Sequence, residues 1–145
     1  MGLMFMGQHT PKLDDKGRFF LPAKFRAELA DGVVITKSQE RCLAIYPVGV
    51  YAEILRRATA APTALKKVRD YQRYLAAQAS EERPDAQGRL TIPPMHRRYA
   101  GLVKDIAVVG AVDRLEVWDL DAWEAYSEAN ESEFADLNEE VFPGL

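Results

Sequence analysis

Two arginines, each four residues after an aspartate and directly after a glycine, are the side chains here best equipped for chemistry. They lie in Asp14-Asp15-Lys16-Gly17-Arg18 and in Asp85-Ala86-Gln87-Gly88-Arg89. A guanidinium offers a planar fork of donors that matches phosphate oxygens or the O6/N7 edge of guanine, which is nucleic-acid chemistry rather than catalysis. Glycine takes a positive φ without steric cost, so Gly17 and Gly88 allow a tight reversal before the strand that each arginine begins. A carboxylate facing phosphate would be repelled by it. Asp14 and Asp85 therefore read as orienting groups that cap turn amides or brace the arginine. The plainer alternative, that each Asp–Arg pair only ties its own hairpin, stands equally on the residues alone.

Other chemistries find little support. His9 and His96 are the only histidines and neither has a companion at ligand spacing; with a single cysteine, a metal site is not expected. Cys42 opens an apolar strand and reads as a buried structural thiol. No nucleophile elbow is present, and neither glycine turn has the multiple glycines and Lys-Ser/Thr ending of a phosphate loop. The expectation is a protein that is not an enzyme and uses no cofactor.

The arginine turns belong to a larger duplication. Residues 14–29 and 85–100 align at an offset of 71 with five identities in sixteen positions: Asp, Gly, Arg, Pro and a second Arg, at Arg26 and Arg97. Phe19/Leu90 and Leu21/Ile92 keep the apolar alternation of a strand. Downstream, 42–47 aligns with 114–119 at an offset of 72, each ending in an aromatic followed by a residue that starts a helix, Pro47 or Asp119. Tyr46/Trp118 and Tyr51/Trp123 recur at matching places, which favours core packing over base stacking. Such a repeat decides architecture before any local signal.

The two copies read as one order of elements. In the first, residues 5–13 form a strand, Arg18–Leu21 a second, Ala23–Leu29 a helix, and Val33–Thr36 and Cys42–Tyr46 two further strands before a helix from Val48 to Ala58. The second repeats the order: strand Arg89–Ile92, helix Met95–Ala100, strands Ile106–Val109 and Leu115–Trp118, helix Leu120–Ala129. Between them Thr63–Ala79 reads as a helix with Leu65, Val68, Tyr71 or Gln72, Leu75 and Ala79 on one side. Its Lys66, Lys67, Arg69 and Arg73 read as a solvated face rather than a DNA contact. Beyond Asn130, Phe134, Leu137, Val141 and Phe142 suggest a weak amphipathic helix. The units are thus 5–58, a connecting helix at 59–79, 80–130, and an acidic tail at 131–145.

At 145 residues and 48% hydrophobic, the chain can bury a real core as one domain or two packed halves. No stretch approaches the ~20 apolar residues of a membrane span, no secretory signal opens the chain, and one cysteine excludes an internal disulfide. These features place it in the cytoplasm. The net charge of −3 averages two unlike regions: residues 1–114 hold all 19 Lys and Arg against 12 acids, while 115–145 hold ten acids and no base. A basic body can gather polyanions. The acidic end either shields basic surface or is simply solvated.

With these residues set out, the chain resembles the MraZ family. Leu13-Asp14-Asp15-Lys16-Gly17-Arg18, Leu21-Pro22-Ala23-Lys24-Phe25-Arg26 and Leu43-x-Ile45-Tyr46-Pro47 carry the likeness in one half. Asp85-Ala86-Gln87-Gly88-Arg89-Leu90-x-Ile92, Val108-Val109-Gly110 and Leu115-Glu116-Val117-Trp118 carry it in the other. The resemblance implies an α+β, mainly β fold in which two tandem AbrB-like repeats form one pseudo-two-fold swapped-hairpin barrel with flanking helices. It implies a bacterial transcription regulator, nucleoid-associated, binding repeated promoter boxes upstream of a division and cell-wall gene cluster and assembling into rings. The family's Asp-x-x-x-Arg signature falls on Asp14/Arg18 and Asp85/Arg89. Two departures stand out: Gln87 in place of Lys16, and Pro94 in place of Ala23. Family chains tend to begin at a Met-Phe pair, here Met4-Phe5, which sets Met1-Gly2-Leu3 apart from that start.

The sequence therefore leads to a sequence-specific DNA-binding regulator, most simply a repressor of its own operon. Arg18 and Arg89 are its candidate base readers, with Lys16, Gly17, Gln87 and Gly88 beside them on the DNA. The partners expected are double-stranded DNA and other copies of the chain, with no membrane and no small-molecule substrate. Two rivals remain: a MazE-like antitoxin, against which the in-chain duplication speaks, and a ring-forming scaffold that binds protein through its acidic end.

Overall fold

The computed structural model describes residues 4–137; Met1-Gly2-Leu3, Val141 and Phe142 lie outside that range. Eight strands and five helices follow in the order β1 (Gln8–His9), β2 (Arg18–Phe20), α1 (Arg26–Leu29), β3 (Val33–Lys37), β4 (Leu43–Pro47), α2 (Val48–Thr59), α3 (Lys66–Ala77), β5 (Ser80–Glu82), β6 (Arg89–Thr91), α4 (Pro94–Ala100), β7 (Ile106–Gly110), β8 (Leu115–Asp119) and α5 (Leu120–Ala135). The α+β class and the twice-written unit hold. Six strands form an antiparallel sheet in the order β1-β7-β8-β4-β3-β5, and β2 pairs with β6 in a separate two-stranded ribbon.

The two copies exchange strands. β1 of the first copy pairs with β7 of the second, and β5 of the second pairs with β3 of the first. The ribbon crosses the same boundary, with Arg18 opposite Thr91, Phe19 opposite Leu90 and Phe20 opposite Arg89. Strand alternation turns Phe19 and Leu90 inward, 1% and 0% exposed, onto Leu21, Ile92, Ile35, Ile45, Val108 and Val117. The opposite face of the sheet is covered at Cys42, Ala107, Val109 and Trp118 by Leu120 and Trp123. Trp118 and Trp123 sit 5.3 Å apart and Tyr46 and Tyr51 5.5 Å apart, so the recurring aromatics pack on each other.

Several local expectations change. The first strand, 5–13, shrinks to Gln8–His9 with isolated bridges at Phe5 and Lys12. Gly7 at φ 92° interrupts it, a conformation that breaks the pleat. Pro47 ends β4 instead of occupying the first position of α2, whereas Asp119 is a true N-cap, its carboxylate accepting from the Ala122 amide at 3.0 Å. Helix α3 begins at Lys66, leaving Leu65 and Tyr71 59% and 60% exposed. Its docking on α2 runs through Val68, Gln72 and Leu75: Gln72 donates to the Ala58 carbonyl, and the Tyr51 hydroxyl to that of Leu75. Helix α5 continues past Asn130 to Ala135, because Glu131, Glu133 and Ala135 favour helix and no Gly or Pro breaks it there. Phe134 lies within it, 75% exposed.

Candidate nucleic-acid interface

Each turn is assembled by its aspartate. The Asp14 carboxylate accepts from the Lys16 and Arg18 amides at 2.9 Å and from Arg18 Nε at 2.7 Å. Asp85 repeats the set with Gln87, Arg89 and Arg89 Nε at 2.9, 2.8 and 2.8 Å. Backbone bonds from the Gly17 amide to the Asp14 carbonyl, and from Gly88 to Asp85, close the reversals, with the glycines at φ 78° and 82°. Both functions assigned to the aspartates, capping the turn and bracing the arginine, are thus present in one carboxylate. These bonds, led by that from the following arginine's own amide, hold each carboxyl below its ordinary 3.8.

Because the ion pair engages Nε, it fixes the guanidinium plane and leaves the Nη edge of the fork as the remaining donor edge. The two arginine side chains are 26% and 24% exposed, half-buried and held in one orientation instead of waving in solvent. They share the outer face of the ribbon with Phe20 and Thr91, both exposed, while Lys16 and Gln87 stand exposed at the tips. The ribbon joins the turns: the Leu21 amide donates to the Gly88 carbonyl and the Ile92 amide to the Gly17 carbonyl, both at 2.9 Å. Four residue steps along the strand separate the two glycines on the ribbon, about 13 Å.

Two residues conserved between the copies receive their meaning only here. A Cβ on Gly17 would lie 2.7 Å from Arg97 Cζ, and one on Gly88 2.7 Å from Arg26 Nε. Each turn glycine is therefore packed under an arginine from the other copy. The signal in the sequence was the identity of Arg26 and Arg97 at the same offset, with nothing to say what they touched. Arg26 also lines a groove of about 310 Å³ beside the second turn, with Ala30, Pro84, Asp85 and Gln87.

Elsewhere the residues considered for chemistry are structural. Cys42 is 1% exposed, its thiol pushed up to about 12 chiefly by burial. His96 is fully buried, with Nε2 2.8 Å from the Gln78 carbonyl. Since a carbonyl only accepts, Nε2 carries the proton and Nδ1, which is buried with no hydrogen-bond partner, is the bare nitrogen. Among the described residues no group of three or more His, Cys, Asp or Glu could hold a metal ion, and no helix is long and apolar enough to cross a membrane.

Fold and site together define a class: an α+β protein of two tandem β-β-α-β-β-α repeats that exchange strands and present paired Asp–Gly–Arg turns on one ribbon. The chain matches the model of a family described as "MraZ protein", antitoxin-like, twice, over residues 4–74 and 75–143. It is 65% identical over 139 residues to a protein of Cutibacterium acnes named "Transcriptional regulator MraZ", covering 96% of this chain and 98% of that one. Relatives of the same name from Kineococcus radiotolerans and Thermobifida fusca are each 54% identical over 142 residues, 98% of this chain and 99% of theirs. The chain belongs to the MraZ family.

Proposed function

We propose that the chain is a sequence-specific DNA-binding transcriptional regulator, acting in the cytoplasm at the nucleoid and repressing its own division and cell-wall gene cluster through repeated promoter boxes. The observation that carries this reading is the outer face of the β2–β6 ribbon, where two carboxylate-braced arginines stand two rungs apart. A two-stranded ribbon fits the major groove, and a braced guanidinium has already lost the side-chain freedom that binding would otherwise remove. Arg18 and Arg89 read base edges; Lys16, Gly17, Gln87 and Gly88 meet the backbone; Asp14 and Asp85 orient the turns. The working units are the repeats 5–58 and 80–130, with 59–79 linking them and 131–145 as an acidic tail. The reading requires no catalysis and no cofactor.

One chain makes few contacts, so affinity comes from several copies in a ring engaging neighbouring boxes at once. Subunits related by rotation present their turns in the same sense and favour direct repeats near one helical turn, ~10 base pairs, apart. The test is a gel shift on DNA upstream of the chain's own gene, comparing wild type with the Arg18→Ala/Arg89→Ala double variant and a probe whose box spacing is moved by half a turn. Both changes should weaken binding. An intact fold by circular dichroism with unchanged affinity in the double variant would remove these arginines from the interface. Light scattering should give an oligomer larger than a dimer without DNA.

A further inference from the structure

The outer face of the ribbon carries two apolar groups as well as two cations. Phe20 is 52% exposed although it lies within a strand, and Thr91, also exposed, is its counterpart in the second copy. Register sets each against an arginine of the other copy: Phe20 is directly opposite Arg89, and Thr91 directly opposite Arg18. The inward residues of the same strands, Phe19 and Leu90, already fill the core position. Phe20 is thus a large apolar ring that the fold leaves half in water, between two braced guanidinium groups.

Resting on the DNA-binding reading above, we propose that Phe20 and Thr91 are specificity-determining residues that contact the C5-methyl groups of thymines. In the major groove the thymine methyl is the one apolar feature on a base edge, and Phe rings and Thr methyls are the groups that meet it. Cross-strand neighbours stand about 5 Å apart, one to two base steps of ~3.4 Å, so an arginine and its partner reach adjacent base pairs. Each half of the reading surface is therefore built from both copies: Arg18 with Thr91, and Arg89 with Phe20. The halves are unequal, because a phenyl ring covers a methyl far more completely than a threonine does.

The experiment uses the full chain and two duplexes of the DNA upstream of its own gene, one natural and one with every thymine replaced by deoxyuridine, which removes only the methyl groups. Wild type should bind the deoxyuridine duplex more weakly, by about fourfold for each contacted methyl. Phe20→Ala should bind natural DNA more weakly and lose most of the discrimination between the duplexes. Thr91→Ser, which removes one methyl and keeps the hydroxyl, should do the same to a smaller degree. Both positions are exposed, so thermal melting should show the fold intact. Equal wild-type binding to the two duplexes would overturn the inference, as would a Phe20→Ala variant that keeps full discrimination; a change in oligomer size in that variant would reassign Phe20 to a contact between copies. Arg18→Ala and Arg89→Ala are the controls. If they bind natural DNA like wild type, the reading of this ribbon face as the DNA-contacting surface fails; if they weaken it while the two duplexes bind alike, only the methyl contact falls.

Discussion

In the first repeat the segment after the ribbon strand β2 is a 3-10 turn, Ala23–Phe25, leading into the four-residue α1; in the second the same stretch after β6 is one helix, Pro94–Ala100. Pro94 accounts for the difference, since its fixed φ suits a first helical position and its missing N–H is not needed there. Position 25 is a phenylalanine in contact with Phe5 and His9, while its equivalent, His96, buries an imidazole on a backbone carbonyl. The exteriors diverge further: α2 carries Arg56 and Arg57 in its last turn, whereas its equivalent α5 carries Asp121, Glu124, Glu128, Glu131 and Glu133 and no basic residue. The bonds the two aspartates make in the turns, by contrast, match one for one, while the covering arginines differ: Arg26 Nε donates to the Leu21 carbonyl and Arg97 Nε is buried with no hydrogen-bond partner. Symmetry is kept in the aspartate turns and relaxed around them.

The sharpest way to break that comparison is to separate the copies. Residues 1–75 and 76–145, expressed apart, should each be unfolded or self-associated, because β1, β3 and the ribbon take their partners from the other half. Mixing them should restore a dispersed NMR spectrum. A folded monomer from either half would show that the exchange is dispensable.

Truncation of the ribbon's core pair should be nearly as damaging and should rank the copies. Phe19→Ala should cost about 3–5 kcal/mol and Leu90→Ala about 2–5 kcal/mol, read as lower denaturant midpoints at constant slope. If one copy formed its core alone, only its own member of the pair would matter.

On DNA, Arg18→Ala or Arg89→Ala should cost roughly 1–3 kcal/mol and relax sequence preference. Arg18 should matter more, because Lys16 supports the first turn and the neutral Gln87 the second. Lys16→Gln should weaken all sequences alike and reduce the salt slope by about one. Exchanging the two residues, as Lys16→Gln with Gln87→Lys, should reverse the ranking of the arginines; an unchanged ranking would locate the asymmetry elsewhere.

The smallest effect separates Phe25 from His96. Burial, opposed by the bond to Gln78, holds His96 below its ordinary 6.5, so the folded protein keeps it neutral. As pH falls through 6.5 the unfolded chain takes up a proton and the folded one does not. Stability from this group is therefore full above that value and declines down to the lower folded value. His96→Phe, which copies the first repeat, should flatten that part of a plot of stability against pH. An unaltered slope would assign the pH dependence to other groups.

Much of this was readable from the residues alone. The offset of 71 between the two Asp–Gly–Arg turns defined the repeat, and alternation at Phe19/Leu21 and Leu90/Ile92 gave the inward faces, since side-chain period depends only on local geometry. Glycine at the tips gave the reversals for the same reason. What the residues could not state was who pairs with whom. Alternation reports which face of a strand is buried but not which strand lies beside it, so the passage of β1 to β7 and of β5 to β3 belongs to the tertiary structure. The cover of Arg97 over Gly17 and of Arg26 over Gly88 follows from that crossing, as does the placing of Phe20 opposite Arg89. Helical periodicity likewise put Leu65 and Tyr71 on the apolar side of α3, where they stay exposed because α2 covers only part of that face. Local rules follow from bonded geometry and propensity, which a sequence carries directly. The proposed recognition surface is shared by residues about seventy positions apart, and only the packed core brings them onto one ribbon.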